Sequence, residues 1–297
     1  MCGVKPNLSA AASFLAAHAR TLDRRRFQTL FGEVDAPALF AAVDAYRNPD
    51  GGYGWGLEPD LRAGESQPGG ALHAFEAFAD AAPVVTPHAA ELCDWLASVT
   101  LPDGGLPFAL PIADPAGCAP FWLDADPGAS SLQSTAFTAA AAWRVAAHDP
   151  AVAAHPWLAR ATRYCLDTIR DLDTRPHAIA LCFAVHLLDA VHSAYPEAPE
   201  LLDRLGAFIP SDGMLPVEGG AADEKMRPLD FAPVPGPARR LFRDEVIGSE
   251  LERLAGRQEE DGGWRVNFRS YSPAAELEWR GYATVGAVSV LRRNGLV

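Results

Sequence analysis

The stretch Asp50-Gly51-Gly52-Tyr53 recurs in three further places along the chain, as Asp103-Gly104-Gly105-Leu106, Asp212-Gly213-Met214-Leu215 and Asp261-Gly262-Gly263-Trp264. An aspartate at the head of such a stretch can accept a hydrogen bond from the backbone that follows it, and glycine tolerates the positive φ of a sharp reversal. The segments between the four turns are rich in alanine and leucine. A turn that recurs between helical segments indicates one helix-pair unit that is used several times.

Helices are predicted over ten segments, in which alanine and leucine predominate and proline often stands in the first turn, where its missing N–H costs nothing. The segments are Ser9–Leu22, Ala36–Tyr46, Gly70–Ala81, Pro87–Ser98, Ser131–Ala147, Pro156–Ile169, Pro176–His192, Glu200–Phe208, Pro237–Arg257 and Pro273–Arg293. No segment shows sustained alternation of apolar and polar residues with β-branched side chains, so no substantial sheet is expected.

Two kinds of helix alternate with the turns. The predicted helices that follow a turn, such as Gly70–Ala81, Ser131–Ala147 and Pro273–Arg293, are apolar on nearly every side. Helices of that kind must be buried, whereas the more charged helices that end at a turn fit an outer ring. The sequence therefore predicts an all-α fold, a single α/α toroid over residues 1–297 with about five to six helix pairs. The stretch from about 211 to 237 is expected to be an irregular cap.

Composition excludes some partners. The 297 residues carry 25 basic and 38 acidic side chains, a formal net charge of −13. Surfaces that bind nucleic acid or anionic membranes need clustered Lys and Arg, so neither partner is expected. The five cysteines are odd in number and widely spaced, which favours a reducing cytoplasm over a disulfide framework. No apolar run approaches the roughly 20 residues of a membrane span, so no transmembrane segment is expected.

The fourth turn belongs to a longer motif. Gln258-Glu259-Glu260-Asp261-Gly262-Gly263-Trp264 matches the Q-x-x-x-G-x-W repeat of squalene and oxidosqualene cyclases. On this motif and the repeated turn, the chain resembles the prenyltransferase and squalene-cyclase repeat superfamily. Its stretches DGGYGWGLEPDLR, DGGLPFALP, LDFAPVPG and SPAAELEWRGYAT resemble those of short bacterial members. The resemblance implies an α/α toroid, in which the Gln and Trp of the motif clamp a turn between helices.

In that superfamily the segment after each turn leads to the mouth of the toroid, and here those segments combine carboxylates with aromatic side chains. A hydrophobic ligand with one polar or reactive end needs both. The candidate acids are Glu58, Asp60, Asp230 and Glu278, and the candidate substrate-binding residues are Trp55, Arg62, Trp122, Phe231, Trp279 and Arg280. The alternative is structural: Glu58, Asp60 and Arg62 pair with Glu278 or Arg280 and tie repeats together.

A fifth candidate acid comes from the resemblance to class II terpene cyclases, which carry a D-x-D-D motif before an inner helix. Asp171-Leu172-Asp173-Thr174 stands in the corresponding place, and Asp173 has the position of the acid. Such an acid must be kept protonated by burial or by a like charge. Thr174 replaces the last aspartate of the motif, so one neighbouring anion is missing. The alternative is that Asp173 or Thr174 caps the following helix.

Cys182 and His186 are spaced i, i+4 on a predicted helix, so they share a face on which a metal ion could bind. No further ligand is near them in sequence, although Cys118, His73 or His177 could be close in space. The alternative is that both side chains pack in the core. No nucleotide-binding motif is found, and neither a metal nor a cofactor is expected.

The leading hypothesis is a cytoplasmic, terpene-cyclase-like enzyme, an isomerase or lyase, that uses acid–base or cationic chemistry on a small hydrophobic substrate, isoprenoid or polyketide-like. It would need one buried, proton-bearing carboxyl beside an apolar cavity. The second hypothesis is a non-catalytic carrier or scaffold for a lipophilic molecule or peptide, which needs the cavity without that carboxyl. The third is a carbohydrate-active toroid, with two carboxylates facing each other across a polar cleft.

Overall fold

The computed structural model describes residues 5–297. Fourteen α-helices form in that part of the chain: α1 (Leu8–His18), α2 (Thr21–Leu30), α3 (Ala36–Asp44), α4 (Pro68–Asp80), α5 (Pro87–Val99), α6 (Pro120–Leu123), α7 (Leu132–Ala146), α8 (Pro150–Ala153), α9 (Pro156–Arg170), α10 (Ala178–Val191), α11 (Ala198–Gly206), α12 (Pro228–Phe231), α13 (Asp244–Ala255) and α14 (Pro273–Arg293). A 3₁₀-helix covers Pro237–Leu241. None of the described helices combines the length and the apolar character needed to cross a bilayer.

Sheet structure is minimal in the described residues. The strands β1 (Leu106–Pro107), β2 (Ser130–Ser131), β3 (Leu215–Pro216) and β4 (Lys225–Met226) have two residues each. They pair antiparallel, β1 with β2 and β3 with β4. The prediction of a mostly α-helical fold without a substantial sheet is confirmed.

The predicted helix Ser9–Leu22 is divided in the structure into α1 and the start of α2. The break turns Arg20 inward, where its guanidinium pairs with the buried carboxylate of Asp23 at 2.8 Å. The same guanidinium donates a hydrogen bond to the Leu57 carbonyl at 2.9 Å. The pair with Asp23 is local, at a spacing of i, i+3, whereas the bond to Leu57 ties the break to the first post-turn segment.

The predicted helix Pro237–Arg257 is also divided, into the 3₁₀-helix and α13. Here Asp189 of α10 accepts the Ala238 N–H at 2.6 Å and holds the tighter turn against α10. The predicted helix Pro273–Arg293, by contrast, has the same bounds as α14. Ser272 caps it, and a proline in the first turn follows, which is the pattern of a strong helix start.

The helices that follow the turns pack against one another in chain order. Helix α4 contacts α7, and α7 contacts α10, while α5, α9 and α11 cover other sides of these helices. From α10 the contacts continue through α12, α13 and α14 to α2, which packs on α3 and α4. A closed ring of hairpins requires such a circuit of contacts. The toroid itself stays a prediction.

The four recurrent turns share one construction. In each, the aspartate Oδ1 accepts the backbone N–H two residues further on, at 2.9 to 3.1 Å. The glycine after the aspartate has a φ between 73° and 100°, which an L side chain rarely adopts. In three turns the same carboxylate also accepts a side-chain bond from the following inner segment: Ser66 to Asp50 (2.8 Å), Ser130 to Asp103 (2.6 Å) and Arg280 to Asp261 (2.8 Å).

The Gln and Trp of the fourth turn join it to the first helix. The Gln258 side chain donates to the carbonyls of Asn7 and Gly262, both at 2.9 Å, and accepts the Asn7 N–H at 2.7 Å. The buried indole of Trp264 donates to the Leu254 carbonyl at 2.9 Å. These contacts clamp the turn between α13 and α1, as the resemblance implies for these two residue types.

The stretch 211–237 is irregular apart from the short elements β3, β4 and α12. Both α12 and β4 contact α10, and α12 also contacts α13. Arg227 precedes α12 and pairs with Glu250 of α13 at 2.8 Å, which fixes the stretch to the helices beneath it. Its role as a cap over one end of a ring stays a prediction.

We expect Gly262→Ala to lower the free energy of unfolding by more than about 1 kcal/mol, because its φ of 94° is unfavourable for alanine. The added Cβ would also lie 2.2 Å from the Ala10 backbone oxygen. Chemical denaturation measures the change. The control is Gly248→Ala in α13, where a Cβ meets no atom within 4 Å. That change should stabilise the protein by about 0.5–1 kcal/mol. Equal effects of the two substitutions on the free energy of unfolding would contradict the requirement for glycine at position 262.

Candidate functional site

The segment between the first turn and α4 carries three candidate residues, Glu58, Asp60 and Arg62, inward. It reverses sharply at Trp55, whose φ is 57° and whose N–H donates to the Ala63 carbonyl at 2.7 Å. Glu58 is 8% exposed and Asp60 is 3% exposed. Carboxylates are rarely buried to this degree unless they are bonded, so the partners of each decide its role.

Asp60 is bonded to the last repeat through both oxygens. Its Oδ2 accepts the Trp279 indole N–H at 2.7 Å, and its Oδ1 accepts the Tyr271 backbone N–H at 3.0 Å. Burial raises the pKa of Asp60, against the opposing effect of these hydrogen bonds. A carboxyl with both oxygens occupied holds the start of α14 in place and offers little to a ligand.

Arg62 is likewise bonded to the last repeat. Its guanidinium lies 2.6 Å from the Glu278 carboxylate, so the structural alternative raised by the sequence is confirmed for this pair. Arg280 is not part of it. That side chain pairs with Asp261 of the fourth turn and lies 4.5 Å over the ring of Phe14.

Glu58 belongs to a buried group that we call the carboxylate–histidine cluster: Glu58, His73, Glu76, Tyr282 and Arg26. The imidazole of His73 lies between two carboxylates, 2.9 Å from Glu58 and 3.0 Å from Glu76. The Tyr282 hydroxyl donates to the other Glu76 oxygen at 2.9 Å, and Arg26 lies 3.4 Å from Glu76. The cluster thereby joins the first post-turn segment, α4, α2 and α14.

The charge state of this cluster follows from its geometry. Burial by itself lowers the pKa of His73, but the hydrogen bonds to Glu58 and Glu76 outweigh it and raise the pKa to about 9. Burial likewise raises the pKa of Glu76, but His73 and Arg26 outweigh it and hold that pKa well below its usual range. At neutral pH His73 is therefore a cation, bonded to the anionic Glu76 on one side and to Glu58 on the other.

Arg144 stands in the last turn of α7. Its side chain is 50% exposed, and its nearest carboxylate oxygen, on Glu76, is 4.0 Å away. Burial is the largest single influence on the pKa values of Glu76, His186 and Tyr282, and the positive charge of Arg144 adds a lowering effect to all three.

Asp230 of α12 has two properties that together define its position. Its side chain is exposed to solvent, yet burial raises its pKa to about 6, against the opposing Arg227 N–H bond and the charges of Arg253 and Arg227. The Asp230 carboxyl can have both properties only if water reaches it from one side while protein surrounds it on the others. Its Oδ2 accepts the Arg227 N–H at 2.8 Å, and its Oδ1 has no hydrogen-bond partner in the described part of the chain.

His186 of α10 lies beside Asp230. Its Nε2 is 2.6 Å from the Asp230 carbonyl oxygen, which can only accept, so Nε2 carries the proton. Burial lowers the pKa of His186, and the neutral ring keeps a lone pair on Nδ1. The ring lies 5.9 Å from that of Phe183, which packs edge-to-face on Phe137 of α7 at 5.1 Å.

We call Asp230, His186, Phe183 and Phe137 the Asp230 site. It combines a carboxyl whose pKa is about 6, an imidazole whose pKa is lowered by burial, and an aromatic pair. The first two can act as an acid and a base, and a catalytic pKa near the working pH is the most effective. The aromatic faces suit an apolar ligand or a developing cation.

Three of the residues expected to bind substrate lie elsewhere. Trp55 is 61% exposed, because its indole turns outward to bond Asn48 at 2.7 Å. Phe231 is fully buried and packs on Phe242, so it fills core and lines no cavity. Arg280 is engaged by the fourth turn, as described above.

Asp173 also departs from its expected role. It lies in the loop between α9 and α10 and is exposed, so the burial that would keep an acid protonated is absent. The capping alternative is wrong as well, because α10 begins at Ala178 and the cap is His177, whose ring accepts the Ile179 N–H. The two residues Arg175 and Pro176 separate Thr174 from the cap, His177.

Trp122 is buried at the base of α6 and stacks on Phe108 with 4.6 Å between ring centroids. Its indole Nε1 has no hydrogen-bond partner in the described residues. Trp122 and Glu58 both border Gly69, where an added Cβ would lie within 3.6 Å of each. Trp122 is thus a neighbour of the carboxylate–histidine cluster.

Cys182 and His186 share a face of α10, as their spacing predicts, with Sγ and Nε2 3.9 Å apart. Both reach the same acceptor, the Asp230 carbonyl, at 3.2 Å from Sγ. Within residues 5–297 no group of three or more metal-ligating side chains comes together. Hydrogen bonding to α12 therefore explains the pair in this structure.

The two best-defined depressions of the surface lie away from the Asp230 site. One, of about 440 Å³, runs along α9 past Asp103, and the other, of about 290 Å³, lies between α1 and α2. The arginines of the first are engaged, Arg160 by the Leu101 carbonyl and Arg163 by Glu197. Neither depression offers the chemistry found around Asp230.

Sequence reasoning singled out Asp230 but did not place Arg144, Glu76, Tyr282, Phe137 or Phe183 in a site. No local signal marks them. Arg144 is the one charged residue of α7, and it stands half exposed in the last turn. Such a position is ordinary for an arginine and predicts no site by itself.

No protein-family model matches the chain, and no curated protein sequence matches it either.

We expect the protein to lose stability between about pH 7 and pH 10, because the His73 imidazolium then loses its proton. The folded-state pKa of about 9 is above the ordinary value of 6.5, so the stabilisation is complete below pH 6.5 and disappears as the pH rises through 9. Each unit corresponds to about 1.4 kcal/mol, which makes the loss on the order of 3 kcal/mol. Urea unfolding measured across this range tests it.

His73→Gln should remove that pH dependence and cost about 3–5 kcal/mol at pH 7, because two buried carboxylates lose their cation. The control is His88→Gln, since His88 pairs with Asp44 at a site where both side chains are 30% exposed. That pair should contribute less than about 1 kcal/mol. An unchanged pH profile in His73→Gln would rule out His73 as the titrating group.

Proposed function

We propose that this protein is an acid–base enzyme of the terpene-cyclase-like type and that Asp230 is its acid. The observation that carries the proposal is the Asp230 carboxyl itself, which water can reach and whose pKa is nevertheless raised to about 6 by burial. A carboxyl of this kind holds its proton up to about pH 6 and has an oxygen left over for a substrate.

The neighbours of Asp230 supply the other parts of such a reaction. Asp230 donates its proton to a substrate oxygen or double bond, and the cation that develops lies against the aromatic pair Phe137–Phe183. The neutral His186 accepts a proton from the substrate through Nδ1. The product is an isomer of the substrate, because one proton is gained and one is lost.

The toroid belongs to the same proposal. The circuit of helix contacts from α4 through α7, α10, α13 and α14 back to α2 supports a closed ring, and the repeated turns support kinship with the cyclase superfamily. In this proposal the ligand space is partly polar, whereas the sequence predicted an apolar cavity. The cytoplasmic location is also proposed, on the cysteine pattern alone.

The carbohydrate-active alternative has less support, because the buried carboxylates Glu58 and Asp60 are bonded and face no open cleft. The carrier alternative shares the ligand space with the enzyme and differs only in lacking turnover. Activity measurements separate the two.

We expect wild-type protein incubated with 2,3-oxidosqualene, squalene or geranylgeraniol to form cyclic isomers of unchanged mass, detected by gas chromatography–mass spectrometry. Oxygen-bearing substrates should react fastest, because an acid of this strength protonates oxygen more readily than carbon. Asp230→Asn should reduce turnover by about 10²–10⁴-fold. The control, Asp173→Asn, changes an exposed carboxyl and should leave turnover unchanged.

Full turnover in Asp230→Asn would remove Asp230 from the mechanism. Binding of these lipids without conversion by the wild-type protein would favour the carrier instead. The rate should also fall above about pH 6, as Asp230 loses its proton, and again at low pH, as His186 gains one.

Asp230→Asn should also stabilise the folded protein at pH 7.5 but not at pH 4. The folded-state pKa of Asp230 is raised above its ordinary value, so the ionised carboxylate destabilises the fold once the pH exceeds about 6. Thermal unfolding at the two pH values measures this without any substrate. An equal change in thermal stability at pH 7.5 and at pH 4 would contradict a raised pKa of Asp230.

A further inference from the structure

Glu250 of α13 is a buried carboxylate that two arginines bond. The residue is 4% exposed. Arg227 donates to it through Nε at 2.9 Å and Nη2 at 2.8 Å. Arg253 stands three residues further along α13 and donates through Nε to both carboxylate oxygens at 3.0 Å. Burial by itself raises the pKa of Glu250, but the bonds to the two arginines outweigh it and lower that pKa. The group is therefore one anion between two cations.

The backbone of Arg227 connects this group to Asp230. The Arg227 N–H donates to Asp230 Oδ2 at 2.8 Å, and the Asp230 N–H donates to the Arg227 carbonyl, also at 2.8 Å. The guanidinium of the same arginine is bonded to Glu250. The place of the Asp230 carboxyl is thus tied to α13 through Arg227.

The charges of this group act on the Asp230 carboxyl. Burial is the largest influence on the pKa of Asp230 and raises it. The Arg227 N–H bond and the positive charges of Arg253 and Arg227 lower that pKa, whereas the negative charge of Glu250 raises it. In the described part of the chain, neither guanidinium forms an ion pair with the Asp230 carboxylate, because both are bonded to Glu250.

The groups on α10 add no charge beside Asp230 at neutral pH. Cys182 and His186 both lie against the Asp230 carbonyl oxygen. Burial raises the pKa of the thiol well above its ordinary value and lowers the pKa of the imidazole, so both are neutral. The balance of charge around the Asp230 carboxyl is therefore set by the two arginines and Glu250.

We propose that Glu250 is a positioning residue for Asp230: it binds both guanidinium groups, keeps them from pairing with the Asp230 carboxyl, and so allows that carboxyl to hold its proton. An arginine that pairs directly with an aspartate stabilises the ionised form and would leave no acid. The inference rests on the proposed function in one respect, since the protonation of Asp230 matters to turnover only if Asp230 is the acid.

The competing role for Glu250 is purely structural, that of a counter-ion that fastens α12 to α13. In that role its replacement lowers the free energy of unfolding, and the folded protein that remains has an Asp230 of unchanged acidity. The two roles therefore differ in the pKa of Asp230, which can be measured without any substrate.

The experiment is a pH titration of the Asp230 carboxyl carbon by ¹³C NMR, on the whole 297-residue chain labelled in its aspartate side chains. Asp230→Asn identifies the signal. Glu250→Gln should lower the pKa of Asp230 by about one pH unit or more, because an anion is lost and two arginines are released. The matched control is Glu252→Gln, which removes the same charge from an exposed position of α13. Solvent and salt screen that position, so the pKa of Asp230 should not change.

A second pair of variants decides the question if Glu250→Gln does not fold. Arg253→Gln removes one cation and should raise the pKa of Asp230. Adding Glu250→Gln to Arg253→Gln leaves Arg227 without its anion, and the pKa of Asp230 should then be about one pH unit lower than in Arg253→Gln alone. Equal pKa values of Asp230 in these two proteins would overturn the proposal, and so would equal values in Glu250→Gln and wild-type protein.

Failure of this inference and failure of the proposed function give different results. If the pKa of Asp230 falls in Glu250→Gln but wild-type protein converts no lipid, the acid–base function fails and the positioning role stands. If turnover depends on Asp230 while Glu250→Gln leaves both the pKa and the pH–rate profile unchanged, the acid stands and the positioning role fails. If both stand, the fall in rate above about pH 6 should move to lower pH in Glu250→Gln by the shift that NMR measures.

Discussion

The arrangement of the inner helices depends on one buried imidazolium held between two carboxylates. His73 bonds Glu58 from the first post-turn segment and Glu76 from its own helix, and Glu76 in turn bonds Tyr282 of α14. Removing such charges from water is unfavourable unless every partner is in place. The cluster therefore tolerates only one relative placement of these elements, and that placement brings α14 next to α4 and sets the position of Arg144 near Glu76.

Asp60 and Asp230 illustrate how surroundings assign different roles to the same side chain. Burial raises the pKa of both. Asp60 has its two oxygens bonded by Trp279 and Tyr271, so its carboxyl is a joint between the first and last repeats. Asp230 has one oxygen bonded and one in reach of water, so its carboxyl can meet a substrate. The number of free oxygens, more than the pKa, separates a structural carboxyl from a reactive one.

Local signals made the helices predictable and left the site largely unpredictable. The capping serine and first-turn proline of α14 predict its start, and the alanine-rich run of α7 predicts a buried helix. The charged run that becomes α2 gave no such signal, because Arg20, which stands at its start, is ordered by a tertiary contact with Leu57. The site required knowing that Asp230 and His186 lie side by side. That depends on how distant helices are placed side by side, which no local spacing records.

The bonds between the first and last repeats have a kinetic consequence. Asn7 with Gln258, Asp60 with Trp279 and Glu76 with Tyr282 are separated by 251, 219 and 206 residues along the chain. Contacts between residues so far apart in the sequence offset the entropy cost of closing their loops only after the intervening hairpins have formed. During synthesis, these three bonds can therefore form only after the last helix has left the ribosome.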